Sequence, residues 1–261
     1  MGSMRDVRSR ATAALAALLV AAPAAAGETV YDVRPAVDVP ITVAGFAIAS
    51  LPYLLGDDLL PHRCPCDPAE LNRLDRAFWD RRSDAAGRVS DVTLVVAVAA
   101  PPVVDALRLG LGPAFGADAL VYAETLAVNS ALVVGAKYAF HRPLPRTYQG
   151  DPGLVDSDAG YRSFYSGHAS TVVAALTAAA WTARFRYGEQ GWPWVIVGVG
   201  GASVAVERVL AGRHFVTDVL VGAVAGFAVG TAVPWLHKKP GETGVSVAPL
   251  APAGLTLSGR F

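Results

Sequence analysis

Apolar residues gather in six long segments, Ala36 to Leu55, Val89 to Leu107, Asp118 to Phe140, Gly167 to Thr182, Trp192 to Val206 and Phe215 to Leu236. Each approaches the ~20 residues that a helix needs to cross a bilayer. The stretch from Val219 to Leu236 carries no charged side chain. The pattern predicts an all-α, membrane-embedded bundle of about five or six helices. Within the last segment Gly222, Gly226 and Gly230 recur at every fourth position. On a helix they form a flat stripe that a second backbone can approach closely.

The polar stretch DPAELNRLDRAFW, between the first two segments, predicts a short amphipathic helix. Asp67 is its cap, Pro68 lies in the first turn, and Glu70 closes a capping box. Leu71, Leu74 and Phe78 then share one face, which lies against the bundle or the lipid headgroups. No catalytic role is expected of it. At the other end, GVSVAPLAPAGLTLSGRF has two short alternating runs around a Pro/Gly turn, so the tail is either a hairpin or unstructured.

Composition agrees with the membrane reading. Of 261 residues, 53% are hydrophobic and 17% charged, and mean hydropathy is +0.39. The 22 basic and 22 acidic side chains cancel, so nothing in the balance recruits nucleic acid. Arg5, Arg8 and Arg10 before ATAALAALLVAAPAAA predict a signal peptide over residues 1–26, cut after Ala26. The other reading of that run is an anchor that stays attached. A helical domain over 27–239 and a tail over 240–261 follow. Cys64 and Cys66, flanking Pro65, are either free or bridged to each other, and with His62 they make a poor metal set.

Arg108, the pair Arg184 and Arg186, and Lys238 with Lys239 fall at alternate ends of the apolar segments, and by the positive-inside rule those ends are cytoplasmic. A cleaved leader would leave the mature chain outside, and six full crossings would then reverse this arrangement. Either Ala36 to Leu55, which contains Pro40 and Pro52, does not cross fully, which is the favoured expectation, or the leader is not processed in this way.

Candidate chemistry lies at the ends of the segments. In GRHFVTDVL, a helix beginning at Phe215 would put His214 and Asp218 on one face, with the carboxylate holding one imidazole nitrogen and the other left free. In SFYSGHAS, Ser166, Gly167 and His168 open an apolar helix, whose backbone N–H groups make an anion site. KYAFHRPLPRTY sets Lys137, Arg142 and Arg146 at the end of another, and Arg208 adds a fourth cation. Glu124 sits well inside its apolar segment and reads as a hydrogen-bond partner for a neighbouring helix, with substrate contact as the alternative.

Together these clusters resemble the signature of the type-2 phosphatidic acid phosphatase superfamily. That signature is Lys, six residues, Arg-Pro, then Pro-Ser-Gly-His, then Ser-Arg, five residues, His, three residues and Asp. Here Lys137, then Ser166, Gly167 and His168, then Arg208, His214 and Asp218 occupy matching places. The resemblance implies that His214 attacks phosphorus, Asp218 orients it, and His168 is the acid and base. It implies that Lys137, Arg208, Ser166 and Gly167 bind phosphate, without a metal or other cofactor. Leu144 stands where the family has arginine, so Arg142 or Arg146 is expected to substitute. Tyr165 replaces a proline, and Glu207 replaces a serine and could bring a carboxylate near the phosphate.

The expected activity is that of an integral membrane phosphatase acting on a lipid phosphate, in a bacterial-type inner membrane with the site facing the periplasm or exterior. A soluble exported acid phosphatase, a haloperoxidase and a non-catalytic protein binding anionic lipid are the alternatives.

Overall fold

The computed structural model describes residues 27–54, 60–61 and 64–240, with the backbone of 246–250 and 254–258. The expected signal peptide over 1–26, His62 and the terminal Phe261 lie outside the described residues. Six long helices form the bundle: α1 (Pro35–Leu54), α3 (Asp84–Leu109), α4 (Pro113–Phe140), α7 (Gly167–Tyr187), α8 (Trp192–Leu210) and α9 (Val216–His237). Short helices α2 (Arg73–Arg76), α5 (Pro145–Tyr148) and α6 (Pro152–Val155) sit in the connections, and β1 (Ser246–Leu250) pairs antiparallel with β2 (Gly254–Ser258) in the tail.

Among the described residues, five helices are long and apolar enough to span a membrane: Pro35–Leu54, Asp84–Leu109, Pro113–Tyr148, Trp192–Leu210 and Val216–His237. Their outer faces are apolar, with Val95 63%, Val199 64% and Val224 70% exposed. A protein whose surface presents valine over whole helix faces is built for a hydrocarbon solvent. The chain is a membrane protein.

Helix α7 is not among the five. It is the centre of the bundle, packed against α3, α4, α8 and α9, and its polar groups are met inside. The Ser170 hydroxyl donates to Asn129 Oδ1 at 2.5 Å, and Asn129 Nδ2 donates to Thr171 at 3.2 Å. The glycine stripe of α9 lies on it: a Cβ on Gly226 would stand 2.1 Å from the Ser170 carbonyl oxygen, so any larger residue would push the helices apart.

Helix α1 is continuous over its 20 residues. It starts beside the end of α9, where Asp32 N–H donates to the His237 carbonyl at 2.8 Å, and despite Pro40 and Pro52 it is long and apolar enough to span a membrane. One expectation fails here, because the amphipathic helix is broken. Asp67 caps only a 3-10 turn over Pro68–Glu70, and Asn72 then caps α2 by accepting from Leu74 and Asp75 N–H. Leu71 is buried while Leu74 and Phe78 are exposed. The break serves Asp75, which is drawn into a buried network described below. Cys64 and Cys66 are joined by a disulfide.

Candidate active site

Three helix junctions meet at one end of the bundle. Helix α4 ends with Lys137 in its last turn, α7 begins at Gly167, and α8 ends near Arg208 before α9 begins. The α8–α9 turn is tight because Gly212 has φ 64° and a Cβ there would lie 2.2 Å from the Arg81 carbonyl oxygen, which leaves only glycine. That turn delivers His214, 5% exposed, to a cavity of about 580 Å³.

Helix α9 begins at Val216, one residue later than the sequence pattern suggests, and this changes the histidine's partner. Asp218 turns back to accept the Phe215 N–H at 2.9 Å and the Ser163 hydroxyl at 2.5 Å. Its carboxylate is left 3.8 Å from His214 Nδ1. The nitrogen instead lies 2.9 Å from the Ser163 carbonyl oxygen. A carbonyl only accepts, so Nδ1 carries the proton and Nε2 keeps its lone pair. The orienting role expected of Asp218 therefore falls to Ser163, with Asp218 fixing Ser163 and the helix start. Burial drives the His214 pKa down to about 3, and the charges of Lys137 and Arg208 add to this against the opposing influence of nearby Asp218. The imidazole is neutral at physiological pH.

The cavity draws its cations from Lys137, Arg162, Arg208 and Arg213. Lys137 Nζ donates to the Arg162 carbonyl at 2.5 Å, and Arg208 Nη1 donates to the Ser90 hydroxyl at 3.1 Å. Neither Arg142 nor Arg146 lines it. Arg142 donates to Asp218 Oδ1 at 2.5 Å, Thr217 Oγ1 at 2.8 Å and Asp75 Oδ2 at 2.7 Å, with its guanidinium 4.3 Å over the Phe215 ring. Arg146 is buried, donating to the Ala211 carbonyl at 3.0 Å and to Asp84 at 2.6 Å. Arg162 and Arg213, rather than Arg142 or Arg146, share the cavity with Leu144, which forms part of its wall.

Ser166 is also committed to the frame. Its N–H goes to the Asp218 carbonyl at 3.1 Å and its hydroxyl caps α7 by accepting from Ala169 N–H. Gly167 is the first residue of that helix, and a Cβ there would lie 4.0 Å from Lys137 Cε, so the helix start and the ammonium adjoin. His168 Nε2 lies 2.9 Å from Asp91 Oδ1, and Asp91 is 3.8 Å from Arg208. Lys137 and Arg208 act electrostatically on His168 as on His214, although His168 itself is not among the residues that line the cavity. Glu207 faces away, accepting from Thr93 and Ser203 between α3 and α8. Tyr165 is buried, which raises its pKa.

Asp75, Asp91, Arg162, Ser163 and Arg213 were not singled out from sequence. A carboxylate in the apolar run DVTLVV and an arginine directly before His214 were the available signals. Asp75 is fully buried, and its backbone and side-chain bonds to Thr217 and Arg142 hold its pKa below the ordinary range against desolvation.

Among the comparisons with known proteins, the PAP2 superfamily model matches residues 118–242, from α4 to just beyond α9. Over those residues the chain is similar to the PAP2 superfamily. Its members are generally phosphatases or related enzymes. No curated protein and no solved structure shows a significant match. The matched region holds His168, His214, Asp218 and all four cavity cations. Helices α1 and α3, with Asp75 and Asp91, lie before it.

Proposed function

We propose that the chain is an integral membrane phosphatase that hydrolyses a lipid phosphate through a phosphohistidine. The observation that carries the reading is the mixed lining of the cavity. It joins Lys137, Arg162, Arg208, Arg213 and neutral His214 with Phe46, Ala49 and Pro52 of α1 and Val133 and Val134 of α4. Four cations suit the non-bridging oxygens of a phosphate, and walls made by two membrane helices suit acyl chains.

His214 Nε2 attacks phosphorus and the P–O bond to the lipid alcohol breaks, His168 giving its proton to the departing oxygen. Water then attacks the phosphohistidine and returns a proton to His168, releasing inorganic phosphate and the free imidazole. Asp91 holds His168, and the Ser163 carbonyl holds His214. The cations meet the charge that builds on phosphorus, so the route needs no metal.

The site faces the periplasm or exterior in this reading. Support comes from the disulfide, whose segment covers the site face through Cys64 N–H to Tyr161 Oη at 3.2 Å, since disulfides persist in oxidising compartments. Arg108, Arg186 and Lys238 gather with Tyr187 and Phe185 at the opposite end, as the positive-inside rule requires of a cytoplasmic face. With α1 taken as a full crossing, which its length and apolar character allow, residue 27 starts on the cytoplasmic side, and we infer that the leader is not removed as an exported signal.

Phosphate release from phosphatidate, phosphatidylglycerol phosphate and a polyprenyl diphosphate in detergent micelles tests the proposal. His214→Ala should abolish release while the protein stays folded. Turnover by that variant, or turnover of water-soluble monoesters only, would overturn the lipid phosphatase reading.

A further inference from the structure

Glu124 finds its partners far from the catalytic end. It lies thirteen residues before Lys137 on α4, about 20 Å along the helix axis, and is 5% exposed with no hydrogen-bond partner for its Oε2. Beside it are Asp38, in the first turn of α1, and His237, at the end of α9. One donor atom from each of the three lies within 4.8 Å of the others. His237 Nε2 stands 3.5 Å from Asp38 Oδ1 and 3.5 Å from Glu124 Oε2.

From these contacts we infer that Asp38, Glu124 and His237 form a binding site for a divalent first-row transition ion, with zinc the best match. His237 Nδ1 is 2.9 Å from the Val233 carbonyl, so in the neutral ring that nitrogen carries the proton and the Nε2 lone pair points at two carboxylates. This is the outer hydrogen bond that fixes a metal-binding histidine. Asp38 is held likewise, its Oδ2 accepting the Arg34 N–H at 2.6 Å and leaving Oδ1 free.

Distance separates a metal site from an ion pair. An imidazolium bound to carboxylates draws them to about 2.7–2.9 Å, whereas a tetrahedral ion with bonds of about 2.1 Å holds its donors about 3.4 Å apart. The two separations at His237 match the tetrahedral edge. Two carboxylates and a dication also sum to zero, which suits a buried position, and partly exposed His237 offers an entry. The ion would clamp α1, α4 and α9 on the face away from the phosphatase site.

The test uses the full chain, tag removed, in detergent, stripped with chelator and re-equilibrated with zinc. Elemental analysis should find about one zinc per chain, and cobalt in its place should give the strong visible bands of a tetrahedral site. Glu124→Gln and His237→Asn should each lower bound zinc to under about a tenth per chain. Wild-type chain that stays metal-free, or variants that bind zinc as the wild type does, would overturn the inference. Should a variant not fold, cobalt-loaded wild-type protein still decides: paramagnetically shifted ring signals must come from one histidine, and none or two would refute the site.

Discussion

Replacing Arg142 separates a phosphate ligand from a strut. In Arg142→Met the aliphatic bulk over Phe215 stays while the charge goes, stranding Asp75 and Asp218, both 0% exposed, which now receive bonds of 2.7 and 2.5 Å from the guanidinium. Breaking a buried pair of this kind costs about 3–5 kcal/mol. At about 2–4 °C per kcal/mol for a domain of this size, the midpoint of thermal unfolding in detergent should fall by about 6–20 °C. Arg208→Met removes a cavity charge that, among the described residues, meets Ser90 and Asp91, so its midpoint should move by less than about 3 °C while kcat/KM drops. Adding Asp75→Asn to Arg142→Met removes one stranded charge and should recover part of the lost midpoint. If Arg142→Met instead melts with the wild type and raises KM as Arg208→Met does, Arg142 is a phosphate ligand and the network described above is not its role.

Three further outcomes follow from the same contacts. Arg213→Ala should lower kcat/KM by about 10- to 150-fold, the equivalent of one charged hydrogen bond of about 1.5–3 kcal/mol, whereas Leu144→Arg should change it by less than about threefold because the missing charge is already supplied; steady-state kinetics on a lipid phosphate checks both. Asp91→Asn should reduce kcat by about 10- to 100-fold, part of what a positioned acid contributes, with KM little changed. Because burial lowers the His214 pKa, the unfolded chain takes up its proton first as pH falls below about 6.5. Stability is then lost progressively from about pH 6.5 toward about 3, at up to about 1.4 kcal/mol per pH unit. Nitrogen NMR of labelled histidine should show His214 neutral with Nδ1 protonated at pH 5, and a His214 signal titrating near 6.5 would contradict this.

What was legible in the sequence follows from what a pattern can encode. Apolar runs placed the long helices within a few residues, and the Gly222, Gly226 and Gly230 stripe foretold the close α7–α9 contact, because lipid exposure and backbone approach both act on composition at fixed spacing. The site was less legible, since hydrogen bonds depend on where a helix begins. With the start of α9 one residue later, Phe215 became the N-cap and Asp218 turned back onto it, leaving the Ser163 carbonyl as the partner of His214. The short stretch around Asp75 misled for a related reason: its helix-start signals were genuine, but Asn72 supplied a second cap and a tertiary bond to Thr217 outweighed the amphipathic face.

The placement of the arginines separates cavity from frame. Leu144 occupies the cavity wall, and in the proposed reading the charge facing phosphate comes from side chains that reach the same space from elsewhere, Arg162 and Arg213 lining it from the loops before α7 and α9. Arg142 and Arg146 cannot be spared for it, because each anchors an acid that precedes the matched region: Asp75 beside α9, and Asp84 at the start of α3. The N-terminal part of the chain therefore does more than cover the bundle. By holding two arginines in place and giving His168 its carboxylate, it determines which cations remain to line the cavity, and so, in the proposed reading, which face the phosphate.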